Sequence, residues 1–225
     1  MITEHGITPE GETLVSPVLY IRQYTDALLP ARARLSQGLA VKQQSRALAN
    51  FALQRACANP SVRLNHTRYG QPFGDQGQGK PAQPVSTSHS QNWYAVATAP
   101  VPVGIDIQVY RRFSVSNQQR LFDHNTVSAD IITQTMQWSL CEAYLKSHGR
   151  GLPFDLRTIR IQQHASLGAT LYGRITSKNN TLTPASYWLW QTLYFCCAVC
   201  ITGHQKIVPT LSLNTMENNH DTHCI

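Results

Sequence analysis

Charge is sparse in this chain. Only 14% of its 225 residues are Asp, Glu, Lys or Arg, and the basic excess, formally +7, is spread thinly. No run of lysine and arginine makes a nucleic-acid footprint, and aromatics do not interleave with the basic residues. A disulfide framework is also missing. Cys57, Cys141, Cys196, Cys197, Cys200 and Cys224 are scattered. Cys197 and Cys200 have metal-ligand spacing, but no second pair exists to complete a zinc site, so they read as thiols packed in a buried strand. The opening MITEHGITPEGET carries no apolar export core. With the unpaired cysteines this predicts a reduced, cytoplasmic protein. The longest apolar stretch, 187–201, is interrupted by Gln191 and too short to span a bilayer, which predicts no membrane partner. No internal sequence repeat is visible.

What is present is an acid and a lysine one helical turn apart. In WSLCEAYLKSHGRGL (138–152), Trp138, Glu142 and Lys146 fall four residues apart, so they share one helix face, with Leu145 flanking it. Gly149 is placed to end the helix, with His148 and Arg150 near the negative end of its dipole. Alone, such a pair is ordinary surface pattern. Upstream, VGIDIQ (103–108) reads as a strand in which alternation puts Asp106 on the face opposite Ile105 and Ile107. A carboxylate in so apolar a sheet requires a compensating charge. Before it, STSHS (86–90) sets hydroxyls and a histidine at a strand edge, where donors can meet a phosphate.

In this order, STSHS, GIDIQ and WSLCEAYLKSHGRGL resemble the signature segments of the 4′-phosphopantetheinyl transferase superfamily, surfactin-synthetase-activating type. The family pattern is an N-x-S-H-S-like turn, then G-x-D-x-E, then W-x-x-K-E-A-x-x-K-x-x-G-x-G-L. Tyr69-Gly70-Gln71-Pro72 resembles the family's Y-G-K-P turn. The chain departs from the pattern in having Gln71 for lysine, Gln108 for glutamate and Cys141 for lysine.

The resemblance implies an α+β fold of two similar halves, each a helix on a small, mostly antiparallel sheet, with the active site between them. Residues 1–102 would form the coenzyme A-binding half. Residues 103–204 would carry the metal-binding strand, the catalytic helix and the closing strands, and 205–225 would be a flexible tail. It implies an enzyme, a holo-[acyl-carrier-protein] synthase type of transferase. That enzyme moves 4′-phosphopantetheine from coenzyme A to a serine of an acyl or peptidyl carrier protein and releases 3′,5′-ADP. Asp106, Glu142 and Lys146 would be catalytic. Magnesium would be held by Asp106, Glu142 and the amide of Gln108. Coenzyme A would be held by Arg32, Arg46, Arg68, Gln71, Ser88, His89 and Lys146. The base that deprotonates the serine is either Glu142 or a metal-bound water. A +7 chain suits an acidic carrier, in fatty-acid, polyketide, polyunsaturated-fatty-acid or nonribosomal-peptide synthesis. One chain suffices for the site, so a monomer is expected. The alternative is a degenerate homologue that binds coenzyme A or a carrier without turnover, motivated by Gln71, Gln108 and Cys141. A nucleic-acid binder has only the pI of about 9.3 behind it.

Local pattern predicts a strand at 18–22 and a helix at 41–58 that Asn59-Pro60 stops. It predicts a loop over 66–84 and strands 93–98 and 103–109 paired as a hairpin. A short helix at 117–122, a long helix at 131–148, and alternating runs at 156–162, 169–175, 187–190 and 193–201 complete the expectation.

Overall fold

The computed structural model describes residues 17–23, 46–55, 57–77, 79–91, 93–121, 130–150, 155–178, 181–203 and 212–215. The first set of elements is β1 (Val18–Gln23), α1 (residues 46–55), β2 (Arg63–His66), β3 (Pro72–Asp75), β4 (Gln83–Ser90) and β5 (Trp93–Thr98). The second is β6 (Val103–Val109), α2 (Val115–Leu121), α3 (Ile131–Ser147), a 3-10 turn (Leu156–Thr158), β7 (Ile159–Leu167), β8 (Thr170–Ser177), β9 (Ala185–Gln191) and β10 (Phe195–Thr202). A last strand, β11 (Ser212–Thr215), returns to the first set. Among the described residues the fold is therefore α+β, with two sheets and few helices. Among the described residues no helix is long and apolar enough to cross a membrane.

The sheets run β11-β1-β5-β4-β3-β2 and β6-β10-β9-β8-β7. With β11 set aside they are wound alike. The first strand of each set lies beside the last, and the others follow in reverse order. In each set the helices come between the first strand and the second.

Period-2 alternation explains the stacking. Leu19, Ile21, Ala95 and Ala97 of the first sheet face Ile105, Ile107, Trp188, Cys197 and Val199 of the second, forming one buried layer between the sheets. The opposite face of the first sheet presents Tyr20, Tyr94 and Val96 to Leu48, Ala52 and Leu53 of α1. The opposite face of the second presents Tyr187, Leu189, Ala198 and Cys200 to Trp138, Leu140 and Tyr144 of α3. The order is helix, sheet, sheet, helix. Cys197 and Cys200, three apart on β10, fall in different layers, so they cannot converge on one metal.

Three local expectations change. The hairpin of β5 and β6 does not form: β5 pairs with β1 and β4, and β6 pairs with β10. Pro100 and Pro102 lie in the link where the chain leaves one sheet for the other. The 66–84 loop contains strand β3, which pairs with β2 and β4 despite its proline and glycine. Within the expected tail 205–225, Ser212–Thr215 is a strand parallel to β1, because β1 offers it an edge that β5 does not use. Of the helix expected at 41–58, residues 46–55 are helical, and 41–45 lie outside the described residues.

Candidate active site

The site is built on the edge of the second sheet. β6 is the end strand there, so the N–H groups on its outer side lack a strand partner. Serines of β4 supply one. Ser86, Ser88 and Ser90 accept hydrogen bonds from the N–H of Ile105 (3.0 Å), Ile107 (3.2 Å) and Val109 (3.0 Å). A period of two in STSHS thus becomes a row of hydroxyls along the neighbouring strand, joining the two sheets where Asp106 sits.

α3 presses on the same strand from the other face. Asp130 caps its start, its carboxylate accepting from the N–H of Ile132 (3.2 Å) and Thr133 (3.0 Å). Gly149, at φ +63°, ends it. The N–H of Arg150 reaches the carbonyl of Leu145 (2.9 Å) and that of Gly149 reaches Lys146 (3.0 Å), a Schellman closure. The helix backbone lies directly on Gly104: a Cβ there would collide with the carbonyl of Ala143 and sit 2.5 Å from the nitrogen of Ser147. The glycine of GIDIQ is what lets α3 come this close.

Asp106 is buried, 3% exposed, yet well satisfied. Its Oδ1 accepts from Lys146 Nζ (2.8 Å) and Ser88 Oγ (2.8 Å), and its Oδ2 from Ser139 Oγ (3.2 Å). Lys146 also donates to the carbonyl of Ile105 (3.1 Å) and to Ser88 Oγ (3.3 Å). Its side chain remains 28% exposed, so the ammonium borders solvent. The Ser88 hydroxyl is fully used: its proton goes to Asp106, and its lone pairs meet Ile107 N–H and Lys146.

Glu142, one turn before Lys146, is different. Its Oε1 is buried with no hydrogen-bond partner. Burial first, and then the charge of Asp106, push its carboxyl above the usual carboxylate range, while Lys146 pulls the other way. Two carboxylates near each other, one of them with an orphaned buried oxygen, form a donor set for a hard cation. Gln108 is half-buried on the same strand, its Oε1 at 3.5 Å from Ser90 Oγ. Among the described residues no group of three or more His, Cys, Asp or Glu side chains gathers in metal-binding range. A cation here would therefore rely on two carboxylates, an amide oxygen and non-protein oxygens.

The structure brings Asp106, Glu142, Lys146 and Ser88 together. It does not bring in the other expected ligands. His89 is exposed on the face of β4 opposite Ser88, its ring stacked on Tyr94 with centroids 5.5 Å apart. Arg46 is exposed at the start of α1, and Arg68 lies over the ring of its neighbour Tyr69 at 4.6 Å. Gln71 is nearer: its amide group packs against Gly149 at the exit of α3. Arg32 lies outside the described residues. Cys141 points into the core beneath α3, and burial, then Glu142, pushes its thiol up to about 12. A surface cavity of about 560 Å³ lined by Asn59, Arg63, Asp75 and Lys80 includes none of these residues. Sequence reasoning missed Ser86, Ser90 and Ser139. The first two were signalled by their period of two around Ser88, and Ser139 by its place three residues before Glu142.

No protein-family model matches the chain. Individual relatives do. The 4′-phosphopantetheinyl transferase ffp of Bacillus subtilis is 27% identical over 134 residues, 53% of this chain and 58% of the relative. The 4′-phosphopantetheinyl transferase Sfp of Bacillus subtilis strain 168 is 28% identical over 116 residues, 44% of this chain and 51% of the relative. The 4′-phosphopantetheinyl transferase psf-1 of Bacillus pumilus is 27% identical over 114 residues, 44% and 48% respectively. The chain thus spans about half the length of the relatives it matches. Over the part that aligns, the chain is a relative of the surfactin-synthetase-activating type of 4′-phosphopantetheinyl transferase.

Proposed function

We propose that this protein transfers 4′-phosphopantetheine from coenzyme A to a serine of an apo acyl or peptidyl carrier protein, giving holo-carrier and 3′,5′-ADP. The observation that carries the reading is the meeting of Asp106, Glu142 and Lys146 on two elements pressed together at Gly104. The like winding of the two sheets supports a pseudo-dimer with the site between halves divided near residue 102, Ser88 coming from one sheet and Asp106 from the other. All of these groups come from one chain, which supports a monomer as the working unit.

Magnesium would be held by Asp106, Glu142 and Gln108, together with phosphate oxygens and water. When bound it would neutralise charge on the pyrophosphate being cleaved. Lys146 borders solvent beside Asp106 and supplies a compact cation for the phosphates. Either Glu142 or a water held nearby would take the serine proton; a carboxylate that ligates the metal is a poor base, because the ion lowers its pKa. Arg32, Arg46, Arg68, Gln71, Ser88 and His89 remain proposed coenzyme A contacts. Of these, Ser88 lies at Asp106 and Lys146, and Gln71 lies beside Gly149 at the exit of α3. The carrier would be acidic, to complement a chain of charge +7. The five described cysteines are free thiols, in keeping with a cytoplasmic location.

The test is intact-mass spectrometry of a panel of apo-carriers incubated with the protein, coenzyme A and magnesium, with an EDTA control. A magnesium-dependent phosphopantetheine adduct is expected. Coenzyme A binding without an adduct on any carrier would instead favour the degenerate binding homologue.

Glu142 gives a second expected outcome. Its folded-state pKa is raised, so between the unfolded and folded values the native state binds the extra proton. Stability from this group is then present at acid pH and lost as pH rises through the folded value. Glu142→Gln removes that loss. In EDTA the variant should have a higher urea midpoint than wild type at pH 7.5, and the gap should close near pH 4. A gap that widens toward acid would refute it.

A further inference from the structure

We propose that Ser139, set by the thiol of Cys196, is a positioning residue that fixes the Asp106 carboxylate for the transfer reaction proposed above, on which this inference rests.

The last torsion of an aspartate is soft, so one anchored oxygen does not fix the plane of the group. In this protein both oxygens are anchored, from β4 and from two positions of α3. Oδ1 takes Ser88 from β4 and Lys146 from α3. Oδ2 takes the hydroxyl of Ser139 at 3.2 Å. Ser139 is 0% exposed, so water does not stand in for it.

A serine inside a helix tends to turn its proton back to a carbonyl of the preceding turn. Cys196, on β10 beneath the helix, opposes that. Its Sγ lies 3.5 Å from Ser139 Oγ as a donor. Burial pushes this thiol up to about 12, with Ser139 pulling the other way and Asp106 pushing it further, so the S–H is kept at neutral pH. A thiol proton aimed at Ser139 Oγ fills one lone pair and leaves the hydroxyl proton for Asp106. The direction runs Cys196 to Ser139 to Asp106: the thiol and the hydroxyl each donate once, and the carboxylate accepts. Partners held behind a ligating group commonly change metal affinity ten- to hundred-fold when removed.

The test compares wild type, Ser139→Ala, Cys196→Ala and Cys196→Ser. Magnesium affinity is read by isothermal titration, folding by thermal melts, and the Cys196 S–H stretch by infrared difference against Cys196→Ala. Ser139→Ala is expected to weaken magnesium binding by about ten-fold or more with a near wild-type melt, and to shift the S–H band to higher frequency. Cys196→Ala should weaken binding in the same direction, and Cys196→Ser, which keeps a donor, should recover part of the loss. Wild-type magnesium affinity in Ser139→Ala overturns the positioning role. A wild-type protein that binds no magnesium and modifies no carrier overturns the proposed reaction instead. The S–H band then decides the relay, and an unchanged band in Ser139→Ala overturns it.

Discussion

Asp106→Ala is expected to lower carrier modification by at least about 10²-fold, the scale of removing one preorganised electrostatic partner from a reacting site. The argument rests on how many groups the carboxylate organises. Lys146 is held 2.8 Å from Oδ1, and Ser88 and Ser139 are turned toward the same side chain. Without it, the ammonium loses its anchor and the remaining carboxylate, Glu142, stands alone for a cation. Asp106→Asn should not rescue. It keeps the shape, and a serine hydroxyl can accept from its amide, but it removes the negative charge that holds the Lys146 ammonium and that a cation needs. Two readouts separate chemistry from folding: adduct mass over time under saturating coenzyme A, and the far-ultraviolet spectrum of each variant. Full adduct formation by a folded Asp106→Ala would remove Asp106 from both the metal and the catalytic assignment.

Much of this arrangement was legible in the sequence because it is local. The strand 103–109 carries its own period of two, and the helix is marked by Trp138, Glu142 and Lys146 four apart and by Gly149 at its end; β6 and α3 fall there. The buried reading of Cys197 and Cys200 holds for the same reason: a short continuous apolar run bounded by polar residues is a strand covered on both faces. What could not be read depends on which surfaces meet. The pairing of β5 with β6 was the natural guess for adjacent strands joined by a short link, yet the apolar face of β6 is buried against the first sheet rather than beside it. The serine row is a consequence of that stacking, since its partners lie 18 or 19 residues away across a sheet-to-sheet contact. Ser139 needed α3 and β6 placed together before its hydroxyl had a target. His89 shows the opposite limit. The motif puts it next to Ser88, while strand alternation turns it to the other face.

Gly104→Ala carries the largest expected cost to folding. The added methyl meets the backbone of α3, at the carbonyl of Ala143 and the nitrogen of Ser147, and backbone cannot rotate away as a side-chain tip can. Overpacking a tight contact costs about 1–3 kcal/mol, occasionally more, and this contact belongs at the upper end. If the chain folds at all, α3 must lift from β6, and Lys146 then moves off Asp106. Activity should fall further than stability alone explains. Gly168→Ala is the control. Gly168 has φ +57° with nothing within 4 Å of an added Cβ, so it tests only the left-handed conformation, about 1–2 kcal/mol. Urea unfolding of both variants, with adduct formation measured on the folded fraction, makes the comparison. Gly168→Ala should lose stability and keep turnover, whereas Gly104→Ala should lose both. Equal loss of stability with turnover retained in both would mean that the helix does not need to sit on Gly104 for the site to work.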